Sequence, residues 1–119
     1  MLPKKFRLKK KSAFIATYKV KNSSHKGGVT LFAGLKKKDS DTITRVGFVV
    51  SKKTHKRATK RNRLKRLMRE SYRLLLKDDN TGFAQQFMSL IFVGSENALD
   101  KDFSQIKTII KNLLDGIKC

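Results

Sequence analysis

The chain has 119 residues and a formal charge of +20, from 29 Lys and Arg against nine Asp and Glu. That length fits one domain over 1–119, and such a charge excludes a self-contained neutral globule, because a small domain at +20 repels itself unless a densely anionic partner lies opposite. The one cysteine, Cys119, excludes an internal disulfide framework or a cysteine-rich zinc site, and no apolar run is long enough to span a bilayer.

The opening MLPKKFRLKKK has no apolar run of the signal-peptide kind, so a cytoplasmic protein is expected, with no membrane association. Lys11 to Lys19 (KSAFIATYK) reads as a first helix, with Ser12 as a candidate cap and Phe14, Ile15 and Tyr18 on one side. Asn22 to Gly28 (NSSHKGG) reads as a loop. Val29 to Ala33 (VTLFA) reads as a strand, Leu35 to Asp41 (LKKKDSD) as a basic turn, and Thr42 to Ser51 (TITRVGFVVS) as a second strand, so these two strands are expected to form a hairpin.

The segment near 57–77 reads as a long helix. Leu64, Leu67, Met68, Ser71, Leu74 and Leu75 follow its three-four rhythm, and Asp79-Asn80-Thr81-Gly82 ends it. Phe87 to Val93 (FMSLIFV) is apolar enough to be a central strand buried on both faces. A last helix is expected from about Lys101 to Ile117, with Ile106, Ile109, Ile110, Leu113, Leu114 and Ile117 as its stripe and Asp100 and Asp102 at its positive end. The order α-β-β-α-β-α implies an α/β sandwich: one small sheet with helices against it.

The charge is concentrated. Up to Lys77 there are 25 Lys and Arg against three acids, whereas from Asp78 onward there are four Lys against six acids. In Lys60 to Glu70 (KRNRLKRLMRE) six of eleven residues are basic. Leu64, Leu67 and Met68 hold that helix on the sheet, which leaves Arg61, Asn62, Lys65, Arg66, Arg69 and Arg73 for other directions. Like charges four apart oppose one another, so a polyanion is expected across from them. Arg suits phosphate oxygens better than Lys does, and Glu70 either orients one of these arginines or makes an ordinary helix salt bridge. Phe14 and Tyr18, four apart on the first helix, and Phe32 on the first strand fit either base stacking or core packing, while Phe48 fits the core better. His25 and His55 are the only histidines, so no zinc site is expected, and His55 reads as solvated. The basic half has almost no carboxylates, which argues against a protein-held metal pair and a protein-only nuclease. No helix-turn-helix pattern supports a DNA-binding module. A general RNA-binding protein remains open on these grounds.

Three blocks narrow that choice: FRLKKKSAF (Phe6 to Phe14), RVGFVVSKK (Arg45 to Lys53) and KRATKRNRLKRLMRES with its Arg61-Asn62-Arg63 triplet, in this order. Together they resemble the protein component family of bacterial ribonuclease P, over essentially the whole chain. The resemblance implies a ribosomal protein S5 domain 2-like fold and a subunit without catalytic residues of its own. Its partners would be the catalytic RNA subunit and precursor tRNA, with no obligate protein partner. Mg2+ would be held mainly by that RNA and the substrate, with no organic cofactor and no protein metal site. Carried onto this chain, Arg61, Asn62, Arg63, Lys65, Arg66 and Arg69 would face the catalytic RNA. Phe14, Tyr18, Phe32, Ser51, Lys52 and Lys53 would hold the single-stranded 5′ leader.

Overall fold

In the computed structural model of the chain, which describes residues 2–39 and 42–117 apart from the Phe83 side chain, Gly27 and Gly28 take positive φ, 57° and 88°. Two such residues make the tight turn whose twist suits an antiparallel pair. The turn joins β1 (Asn22–Lys26) to β2 (Val29–Ala33), with Lys26 opposite Val29 and Asn22 opposite Ala33. The stretch read as a loop is therefore a strand. It is polar because it lies at the sheet edge, where alternation of buried residues is weakest.

The α-helices and other strands are α1 (Lys11–Lys19), β3 (Arg45–Val49), α2 (Ala58–Lys77), β4 (Ser89–Gly94) and α3 (Phe103–Gly116), with short 3-10 turns at Lys4–Phe6, Gly82–Gln86 and Glu96–Ala98. The element string thus gains one strand over the expected α-β-β-α-β-α, and the α/β class stands. Strand order is β1-β2-β4-β3. β4 pairs antiparallel with β2 and parallel with β3, so the expected hairpin between the second and third strands does not form. The physical reason is burial. Leu90, Ile91 and Phe92 have apolar side chains on both faces, all fully buried, and only a central position satisfies them. The parallel pair requires a crossover, and α2 supplies it.

Alternation along the strands separates two faces. Val29, Leu31, Ala33, Val46, Leu90 and Phe92 point to the face covered by α2 and α3 and form the core with Leu64, Met68, Tyr72, Leu75 and the α3 stripe. Phe48 lies there, stacked on Phe92 at 5.7 Å between centroids and 9° between planes, which bears out its reading as core. On the opposite face lies α1, with Leu8 of the N-terminal segment beside it over Gly47. Beside β3, the N-terminal segment covers the edge: Leu8 N–H donates to the Val46 carbonyl (2.9 Å), and Leu2 is buried. That pairing fixes where the chain turns into α1. The helix starts after Lys10 without a side-chain cap, so Ser12 lies inside α1 and does not cap it. α3 begins two residues later than expected because Asp102 makes a capping box with Gln105 (2.8 and 3.0 Å). α2 ends as expected, with Asp79 at φ 53° and Asn80 N–H on the Leu75 carbonyl. Ser40 and Asp41 of the expected basic turn, and Cys119, lie outside the described residues.

Candidate nucleic-acid interface

Ser23, Phe32, Ile91 and Gly47 form one row across the sheet on the α1 side. α1 lies over this row. Phe14 rests on Gly47, so closely that a Cβ there would stand 2.6 Å from its ring carbons. Tyr18 meets Phe32 edge-to-face, centroids 4.9 Å apart and planes at 83°. Thr17 anchors the helix from below: its hydroxyl donates to the Ala13 carbonyl or shares a 2.6 Å hydrogen bond with Ser89 Oγ. Phe14 and Phe32 are half-buried, while Tyr18 keeps 37% of its surface exposed. Partial burial raises the Tyr18 phenol above its ordinary pKa, so it stays protonated at neutral pH.

The next row is open. His25, Thr30, Val93 and Val49 are register neighbours on the same face, and none is buried. His25 Nδ1 and Thr30 Oγ1 share a 2.8 Å hydrogen bond. Beyond Val49 the chain enters the exposed turn Ser51-Lys52-Lys53, closed by Thr54 N–H on the Ser51 carbonyl (3.0 Å). Phe14, Tyr18 and Phe32 therefore stand beside this open row, a trough whose β3 end at Val49 leads on to the exposed Ser51 to Lys53 turn. Its floor of Thr30, Val93 and Val49 escaped the sequence reading. The signal was present in β2, where Thr30 and Phe32 alternate with buried Val29, Leu31 and Ala33.

α2 lies on the other face. Leu64 and Met68 are fully buried and Leu67 packs partly against the core, which leaves the basic residues outside. Asn62 and Arg66 are exposed and Lys65 and Arg69 half-exposed. None of the four has a hydrogen bond or ion pair among the described residues. Arg61 and Arg63 differ. Arg61 Nη1 donates to the His55 carbonyl (3.1 Å), and His55 Nδ1 accepts from Arg57 N–H (3.0 Å), so His55 fastens the loop to the helix start. Arg63 stands on the α3 side, where its guanidinium donates to the Leu99 (2.9 Å) and Lys101 (3.2 Å) carbonyls. Glu70 takes Arg73 through both oxygens, with Nε at 3.0 and 3.1 Å, and this hydrogen bond holds its carboxyl below the usual range. The N-cap residue of α2, Arg57, makes no side-chain cap hydrogen bond.

A cavity of about 610 Å³ lies apart from both surfaces, among Phe6, Lys36 to Lys38 and Gln85. Burial lowers the Lys37 pKa there. Among the described residues no three His, Cys, Asp or Glu side chains gather as a metal site, and no helix is long and apolar enough to cross a membrane.

An open sheet face with aromatic walls, backed by a helix rich in unpaired cations, defines an α/β sandwich suited to an anionic polymer with stackable rings. The sequence pattern of the family described as Ribonuclease P matches residues 2–118. A ribonuclease P protein component of Clostridium kluyveri is 33% identical over 112 residues, covering 92% of this chain and 91% of the relative. Another, of Clostridium botulinum strain Loch Maree, is 43% identical over 77 residues, and that match spans 65% of each chain. The solved Staphylococcus aureus RNase P protein superposes with a TM-score of 0.72 at 26% identity, covering 92% of both chains. The chain belongs to the ribonuclease P protein family.

Proposed function

We propose that this chain is the protein subunit of ribonuclease P. It binds the catalytic RNA subunit through α2 and the 5′ leader of precursor tRNA through the half-covered sheet face. It thereby assists endonucleolytic removal of the leader, which leaves the mature tRNA 5′ end. The RNA subunit is the catalyst, and the protein supplies binding and orientation.

The observation that carries this reading is the trough between α1 and the open row, with Tyr18 and Phe32 at 4.9 Å on one side and Ser51 to Lys53 at its end. A single strand lays bases against Phe14, Tyr18 and Phe32 while its phosphates reach Lys52, Lys53 and the Ser51 hydroxyl. Every base has a flat face, so such a trough accepts leaders of varied sequence. On α2, Asn62, Lys65, Arg66 and Arg69 meet phosphates of the folded RNA. Arg61 and Arg63, each with N–H groups beyond those that hold their own carbonyls, stand at the ends of the same row. Arg presents planar forks that pair with phosphate in two-point contacts.

Magnesium belongs with the RNA subunit and the substrate, where it activates water at the scissile phosphodiester. Among the described residues no three His, Cys, Asp or Glu side chains gather, which accords with such an ion being held by the RNA. The protein works as one domain in the cytoplasm, without an obligate protein partner.

Reconstitution tests the reading. The purified protein, its cognate catalytic RNA and their complex are each given precursor tRNA across a magnesium series. The complex is expected to cleave at lower magnesium than the RNA alone, and the protein alone to be inert. Specific cleavage by RNA-free protein, or a complex no better than RNA alone, would overturn it.

A further inference from the structure

α1 has a second flank that the trough does not use. Ala13 and Ala16 lie there, and with Leu8, Leu35, Met88 and Arg45 they line a separate cavity of about 310 Å³ under the helix. That volume is at the small end of ligand-sized clefts. Two alanines on the helix leave the space open, and Leu35 (65% exposed) and Met88 (46%) stand at its rim. A chain with this much repulsive charge has little reason to leave two large apolar side chains in water beside a hollow. The Thr17 and Ser89 hydroxyls, 2.6 Å apart, are the polar groups in its lining besides Arg45.

Charge selects the occupant. Arg45 is exposed and its guanidinium has no partner among the described residues. Exposed Lys9, Lys10 and Lys36 adjoin the lining in sequence, and no acid among the described residues lines the cavity. An apolar hollow with a cationic rim suits a flat ring that carries a phosphate. Position selects the source. Arg45 begins β3, and Ser51 follows its end. At about 3.3 Å per residue the two are roughly 20 Å apart along β3, a distance a single strand covers in a few nucleotides. Phe14, resting on Gly47, stands between them, nearer Arg45.

We propose that this cavity is a second leader subsite: it takes one base of the 5′ leader beyond those in the trough, with that nucleotide's phosphate on Arg45. The proposal rests on the leader-binding reading above. The base slides between Leu35, Met88 and the alanine flank, and the two hydroxyls meet its polar edge.

The test uses the reconstituted complex and precursor tRNAs with no leader, a leader just long enough to fill the trough, and a leader several nucleotides longer. In the wild type the longest leader is expected to bind roughly fivefold or more tighter than the intermediate one, the effect of one stacked base. Ala16→Leu fills the cavity and Arg45→Ala removes the phosphate partner. Both should abolish that increment and keep the difference between the intermediate leader and none. Arg45 is exposed, so its variant should melt like the wild type and report even if Ala16→Leu is destabilised. A wild type without the increment, or an increment that survives both substitutions, overturns the second subsite. No leader dependence at all overturns the leader reading itself. A changed oligomeric state in Ala16→Leu would assign the cavity to a second copy of the chain and also overturn the proposal.

Discussion

Gly47→Ala is a small change with a large expected consequence. The added Cβ would stand 2.6 Å from Cε1 and Cζ of Phe14. Ordinary carbon contacts lie at about 3.5–4.0 Å, so the ring must withdraw by about 1 Å. Phe14 is fixed on α1, and α1 is fixed by the Thr17–Ser89 hydrogen bond, so the ring leaves its rotamer or the helix lifts. Overpacking of this kind costs about 1–3 kcal/mol. At roughly 3–6 °C per kcal/mol for a chain this size, melting falls by several degrees. The same displacement spoils the aromatic wall. Loss of one stacked base is worth about 1–3 kcal/mol, so the ratio of affinities for precursor and mature tRNA should fall roughly fivefold or more. Thermal melting and binding to both RNAs read the two effects separately. Gly116→Ala is the control: a Cβ there meets nothing within 4 Å, and melting should hold or rise slightly. An unchanged melting curve in Gly47→Ala would refute the packing argument. A lower melting point with an unchanged affinity ratio would remove Phe14 from leader recognition.

Other expectations concern the helices and the core. Arg63→Ala removes the donors to the Leu99 and Lys101 carbonyls and should destabilise the fold by about 1–3 kcal/mol in a denaturant series, whereas exposed Arg66→Ala should stay within about 0.5 kcal/mol. Arg66→Ala should instead flatten the salt dependence of binding to the catalytic RNA by roughly 0.7–0.9 log units per lost contact, and an unchanged slope would remove Arg66 from the interface. Asp102→Ala breaks the capping box and should cost about 0.5–2 kcal/mol. Tyr72 is fully buried and its phenol is pushed up to about 12. A phenol raised on folding contributes stability below its unfolded pKa of about 10, and that stability is lost as pH rises toward the folded value. The wild type should therefore lose stability relative to Tyr72→Phe between about pH 10 and 12, and parallel curves would contradict this.

The helices were legible because their apolar stripes are long and periodic: Leu64, Met68 and Leu75 on α2 and Ile106, Ile110 and Leu114 on α3 are all buried as the spacing implies. β4 was legible as central because it is apolar at nearly every position. β1 was not, since Asn-Ser-Ser-His-Lys carries no buried side chain and only the Gly-Gly turn after it announces a hairpin. Pairing of β2 with β4 rather than β3 is a long-range choice, and no local pattern encodes it. The basic face of α2 was visible in the spacing, yet the inward turn of Arg63 was not, because its partners are backbone carbonyls 36 and 38 residues away. The same holds for His55, which reads as solvated and in fact fastens the start of α2.

The affinity of precursor tRNA relative to mature tRNA, measured for the catalytic RNA with and without this protein, tests the central claim most directly. The trough beside Tyr18 and Phe32 predicts that adding the protein strengthens precursor binding well beyond mature binding, and that Tyr18→Ala removes most of this preference while Tyr18→Phe keeps it. An equal gain for both RNAs, or a preference that survives Tyr18→Ala in a normally melting protein, would contradict the account.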